Sequence, residues 1–125
     1  MQIWNLPTDF YVNKLGFKVV QDVPMGPGTR WLTVSPPDQL DLEIVLFPIT
    51  VSKMFPEEVA NIMIELIKKG TFGCGVYQCS DIYATYEELK GKGVEFIKAP
   101  TKEFYGTEAL FKDDSGNWFS LQLKP

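Results

Sequence analysis

Two periodicities take turns along this chain, one of two residues and one of about 3.6, and their order predicts the elements. The segment from Thr8 to Leu15 reads as a short helix, with Thr8 as N-cap and Gly16 as its stop. A strand over 17–23 follows, then a turn at Pro24-Met25-Gly26-Pro27-Gly28 and a second strand over 29–35. After a further turn at Pro36-Pro37-Asp38, Leu42, Ile44 and Leu46 alternate with Asp41, Glu43 and Val45, which predicts a third strand. The few residues before Leu6 would form an opening strand.

A longer helix is signalled next. Pro56 stands at its first turn, Glu57 and Glu58 near its positive end, Lys68 and Lys69 near its negative end, and Gly70 after it. Val59, Ile62, Met63, Leu66 and Ile67 make an apolar stripe, so the helix reads as a packed connector. Beyond it the first pattern returns. A strand spans Cys74 to Cys79, and Ser80 caps a helix carrying Ile82, Tyr86 and Leu89, ended by Gly91 and Gly93. A strand over 94–98, a loop from Pro100 to Gly106, a strand over 107–112, a turn at Asp113-Asp114-Ser115-Gly116 and a last strand over 118–123 complete it.

The return is a repeat that can be aligned. Gly16-Phe17-Lys18-Val19-Val20 matches Gly93-Val94-Glu95-Phe96-Ile97 at a shift of 77, and Gly28-Thr29-Arg30-Trp31-Leu32 matches Gly106-Thr107-Glu108-Ala109-Leu110 at 78. A return to 77 in the third strands sets Glu43 against Ser120. The expected class is therefore α+β, with two βαβββ halves over about 1–48 and 72–125, joined by a helical connector over about 49–71 in a single domain.

Composition narrows the function. At 125 residues, 45% hydrophobic and 14% aromatic, the chain can build one core. Its net charge of −4 gives no footprint for nucleic acid. No apolar run approaches a membrane span, and the first residues lack the pattern of a signal peptide, so no membrane partner and a cytoplasmic location are expected. Cys74 and Cys79 lie on opposite faces of one strand and cannot bridge. Histidine is absent, which removes the usual neutral-pH base and the commonest transition-metal ligand.

Phe10-Tyr11 followed by Leu15-Gly16-Phe17, Asp81-Ile82 followed by Tyr86 and Gly93-Val94, then Tyr105-Gly106 and the Asp114-Ser115-Gly116-Asn117 hairpin, together resemble the vicinal oxygen chelate superfamily. This is the group of glyoxalases, bleomycin-resistance proteins and extradiol dioxygenases. The resemblance implies two halves paired into an incomplete barrel around a cavity, with metal ligands at matching strand positions. Those positions fall on Glu43, Cys74 and Ser120, and the fourth falls before Met1. Only Glu43 matches in type. One carboxylate, one thiol and a neutral hydroxyl make a poor divalent site, so no metal and no cofactor are expected.

With Glu43 and Ser120 facing inward, as the resemblance implies, alternation puts Asp41, Glu43, Val45, Phe47, Trp31 and Thr33 inside from the first half. From the second half it puts Cys74, Val76, Gln78, Trp118, Ser120 and Gln122 inside, and Tyr105 on the loop before Gly106 could close the pocket. Aromatic planes among hydrogen-bonding groups and carboxylates suit a planar or partly apolar small molecule, cationic ones included. Plainer roles compete: Trp31 and Trp118 as core or interface aromatics, Cys74 as a small buried hydrophobe, Glu43 as the partner of Arg30. The expected function is metal-independent binding or sequestration of a small organic molecule, as in bleomycin resistance, by a homodimer. The alternatives are a glyoxalase-related lyase, isomerase or dioxygenase with an atypical metal site, a metal-free acid-base catalyst using Glu43, the only acid/base candidate, and a non-catalytic ligand-sensing dimer.

Overall fold

The computed structural model describes residues 8–26, 30–51 and 55–125. These fall into two compact units, one ending at Ala60 and one starting at Asn61. The class is α+β, with one sheet in each unit. The expected opening strand, and the turn residues 27–29, lie outside the described residues.

The first unit opens with a π-helix at Asp9–Lys14, wound wide enough to set the neighbouring rings of Phe10 and Tyr11 both inward. Their centroids are 5.2 Å apart, and Tyr11 meets Phe17 at 5.9 Å. Thr8 is not the N-cap that its type suggests. Its backbone is already helical, at φ −62° and ψ −44°, whereas a capping residue needs extended backbone. Gly16 does end the segment, with φ +77°.

Three strands follow, β1 (Lys18–Pro24), β2 (Arg30–Ser35) and β3 (Ile44–Leu46), antiparallel in that order. The third is shorter than its alternation suggests, since residues 41–43 stand ahead of it and Leu42 is exposed. Leu32 pairs with Leu46 and Val34 with Ile44, while Thr33 pairs with Val45. Where β2 meets β3, one face is thus aliphatic, and Leu32 and Val34 on it are buried.

Helix α1 (Glu57–Lys68) comes next, closed by Gly70 at φ +70°. The second unit then runs β4 (Cys74–Cys79), α2 (Ile82–Gly91), β5 (Glu95–Glu103), β6 (Gly106–Lys112) and β7 (Trp118–Leu123). The strand order is β4-β7-β6-β5, with β4 parallel to β7 and the other pairs antiparallel. Asp81, not Ser80, caps α2: its side chain accepts from Ala84 N at 3.1 Å and its backbone is extended. The expected loop from Pro100 to Gly106 is largely strand, because β5 continues to Glu103 and only a tight turn remains. An edge strand tolerates Pro100, which has no N–H to give to a ladder.

The core of this unit lies between α2 and one face of the sheet. Ile82, Leu89, Val94, Ala109, Phe111 and Leu121 are buried there. Tyr77 stacks on Phe119 at 5.2 Å, Phe96 joins Phe111 at 5.7 Å, and Tyr86 meets Phe96 edge-on at 4.7 Å. Burial in this aromatic cluster, with the charge of Asp113 nearby, pushes the Tyr77 phenol up to about 12. Among the described residues no helix is long and apolar enough to cross a membrane.

The ladders also correct the repeat. The register of β1 on β2 maps onto that of β5 on β6 at a shift of 77 from the Lys18–Ser35 pair through the Gln21–Thr33 pair, and the irregularities after Val19 and after Phe96 coincide. A second irregularity between Lys98 and Thr101 then moves β5 to a shift of 78, while β2 and β6 stay at 77. Thr33 therefore corresponds to Leu110. Since Thr33 faces Val45 and Leu110 faces Ser120, the counterpart of Ser120 is Val45 and not Glu43. The second hairpin is two residues shorter, which no residue type announces.

Candidate functional site

The face of the β4-β7-β6-β5 sheet turned from α2 gathers most of the expected site residues of the second unit. Alternation selects them and the register sorts them into rows. Cys74, Trp118 and Lys112 form one row, Val76, Ser120, Leu110 and Lys98 the next, and Gln78, Gln122, Glu108 and Thr101 the third. Cys74, Val76 and Gln78 are exposed and Trp118 half-buried. An exposed Cys74 is not the small buried hydrophobe that its type favours: it stands at the start of an edge strand, β4. Cys79, on the helix side, is half-buried, and burial raises its thiol pKa.

Glu108 organises this face. Only 9% exposed, it accepts on Oε1 from Lys98 Nζ at 2.9 Å and from the Tyr105 hydroxyl at 2.5 Å. On Oε2 it accepts from the Ser120 hydroxyl and, at 3.5 Å, from Gln122 Nε2. Lys98 reaches Glu103 as well, at 3.3 Å. Hydrogen bonds from Ser120, Tyr105 and Lys98 outweigh burial and hold the Glu108 carboxyl down at about 2. The same carboxylate raises the pKa of Tyr105 and of Lys98. Glu108 is thus an anion with its acceptor positions taken, and Tyr105 is drawn onto the face by its phenol.

Sequence reasoning passed over Glu108. A signal was available, since it is the one acid in the run from Gly106 to Phe111 and is in phase with Leu110 on the face opposite Ala109 and Phe111. The shift of 78 pairs it with Arg30, whereas the ladders align β2 with β6 at 77 and pair it with Trp31.

In the first unit, Thr33 is fully buried and its hydroxyl donates to Glu43 Oε1 at 2.6 Å. Glu43 itself is exposed. The ion pair suggested between Glu43 and Arg30 is not made, because Arg30 lies opposite Pro24 on β1 and pairs with Asp22 through both guanidinium nitrogens in reach. Trp31 is half-buried and meets Phe47 edge-on at 6.2 Å.

These side chains do not suit a divalent metal of the kind that the resemblance implies. Ser120 is a neutral hydroxyl that spends its proton on Glu108, its counterpart in the first half is Val45, which has no donor atom, and Glu108 is saturated by four donors. Among the described residues no three His, Cys, Asp or Glu side chains converge.

The family model of the Glyoxalase/Bleomycin resistance protein/Dioxygenase superfamily matches residues 8–121. The chain belongs to this superfamily, the vicinal oxygen chelate group. It is 38% identical over 125 residues to YurT of Bacillus subtilis (strain 168), covering 99% of this chain and 93% of YurT. Among solved structures, UcmS2 is 44% identical with a TM-score of 0.87, over 95% of this chain and 88% of that one. TnmS3 of Streptomyces sp. CB03234, described as an antibiotic binding protein, is 27% identical with a TM-score of 0.71, over 100% of this chain and 89% of its own.

Proposed function

We propose that this protein binds and sequesters a small organic molecule without a metal, using the open sheet face that carries Trp118, Ser120, Gln122, Gln78 and Cys74, with Tyr105 at its margin. The observation that carries the reading is Glu108. A carboxylate with every acceptor position filled by protein donors is built to hold neighbouring side chains still, not to exchange protons or ligate a cation. Trp118, half-buried in the same face, offers a flat apolar surface beside those oriented polar groups. Similarity to an antibiotic binding protein of the same superfamily supports the same direction. In the first unit the candidates are Trp31, Thr33 and Glu43.

A thermal-shift screen with planar and cationic aromatic compounds, taking bleomycin and acridine orange as first probes, tests this. A ligand at about one hundred times its Kd adds about 2.7 kcal/mol, a readily measured shift. Trp118→Ala should abolish it. If no compound raises the melting temperature, the sequestration reading loses its basis. Stoichiometric zinc, nickel, iron or manganese that disappears in Glu43→Ala would favour the enzyme alternative instead. We propose further that two copies associate; the support is exposed apolar side chains such as Ile62 and Val76, and light scattering tests it.

A further inference from the structure

Which atoms of this face remain to meet a ligand follows from hydrogen-bond chemistry. Glu108 is ionised and can only accept. The Ser120 hydroxyl therefore donates its single proton to Glu108 Oε2, and its oxygen is left as an acceptor. Gln122 approaches both, at 3.2 Å from Ser120 Oγ and 3.5 Å from Glu108 Oε2. Two acceptors face it there, so its amide must turn Nε2 toward them. Oε1, on the far side of the same planar group, is then directed away from the network. Among the described residues no donor reaches it. Gln78 lies opposite Gln122 on β4, exposed, and its side chain makes no hydrogen bond to the described residues.

We propose that Gln122 is the hydrogen-bonding specificity residue of this face and that Glu108, acting through Ser120, is its positioning residue, so that the preferred ligand offers an O–H or N–H donor on an aromatic or aliphatic body. The apolar part of such a ligand lies along Val76, Leu110 and Trp118, the adjoining rows of the same face. A ligand with only acceptors leaves Gln122 Oε1 unpaired and buries it, which costs affinity. The proposal rests on the binding reading above and sharpens it to a ligand class.

Two measurements decide it. The first needs no ligand: the side-chain amide of Gln122, assigned by its loss in Gln122→Leu, is followed by ¹⁵N–¹H correlation. One of its protons should be shifted and slow to exchange in the wild type, and should move to the position of a free carboxamide in Ser120→Ala and in Glu108→Gln. A free-carboxamide signal in the wild type overturns the orientation. Ser120→Ala, a small change, keeps this arm decisive if Glu108→Gln folds poorly.

The second compares 2-naphthol with 2-methoxynaphthalene by titration of the same spectra. Naphthol should bind about fivefold or more tightly than its ether in the wild type, and the ratio should fall toward one in Gln122→Leu. Equal binding of the two in the wild type overturns the inference and leaves sequestration standing. If neither probe perturbs the face, the inference falls together with the binding reading, and the amide signal still reports whether Gln122 is oriented.

Discussion

Trp31 and Glu108 hold the same place in the two halves of the chain, 77 positions apart under the register that superposes β2 on β6. The neighbour of Trp31 is Phe47, edge-on at 6.2 Å, whereas the neighbour of Glu108 is Gln122. One half has filled the position with an aromatic pair and the other with an anion and its donors. The repeat survives in backbone register while its chemistry has diverged.

That divergence makes acid stability sensitive to one residue. Because Glu108 is held near 2 in the fold against an ordinary value of 4.5, it contributes stability that is complete above the ordinary carboxylate range. The contribution is lost as pH falls from about 4.5 through about 2. Glu108→Gln should flatten the dependence of urea midpoint on pH in that window, and at neutral pH should lower stability by about 1–3 kcal/mol. An unchanged pH profile would show that the network does not hold the carboxylate.

Phe111 touches Tyr77, Phe96 and Phe119, and is 1% exposed. Phe111→Ala should cost about 3–5 kcal/mol in chemical denaturation, since rings on three sides prevent the cavity from collapsing. Phe111→Leu should recover much of it.

Gly116 and Gly16 should respond differently to alanine. Both have positive φ, but a Cβ on Gly116 would stand 2.7 Å from the Ile67 carbonyl oxygen, while one on Gly16 meets nothing within 4 Å. Gly16→Ala should cost about 1 kcal/mol of backbone strain. Gly116→Ala should cost clearly more, and calorimetry of the pair gives the comparison.

Asp113 Oδ1 accepts from the backbone N–H groups of Ser115, Gly116 and Asn117, each at 2.9 Å. Asp113→Ala should therefore lower stability by about 1–3 kcal/mol and speed amide exchange at those three positions. Asp113→Asn, which keeps the acceptor, should recover part of the loss.

Iodoacetamide should separate the two thiols. Cys74 is exposed, while Cys79 is half-buried with its pKa raised by burial, so Cys74 should be alkylated first at pH 8 and Cys79 only as the protein opens. Mass spectrometry of a time course reads the order.

Much of the fold was legible because its strands alternate cleanly. β4 and β7 begin and end where their patterns do, and α1 stops at Gly70. Caps were harder. Ser80 and Asp81 are both good capping types, and only the backbone at Asp81 decides between them. Pro100 was misleading, since it breaks a central strand but not an edge strand, and edges are a property of the whole sheet. The candidate site was half legible for the same reason. Alternation finds which residues share a face, as with Trp118, Ser120 and Gln122, but which strand lies beside which is settled only by pairing, and pairing is what brings Glu108 to Ser120.

The position of β7 has a consequence for how the second unit is made. Lying between β4 and β6, it is the last strand in sequence and an inner strand in space, so among the described residues the one strand that β4 pairs with arrives more than forty residues later. During synthesis β4 must wait for that partner while α2, β5 and β6 emerge. A stop codon or frameshift just before Trp118 would remove the only strand that β4 pairs with among the described residues, and would leave the hairpin of β5 and β6 as the remnant of the sheet. Such a product would be a substrate for proteolysis and aggregation, not a shortened but working protein.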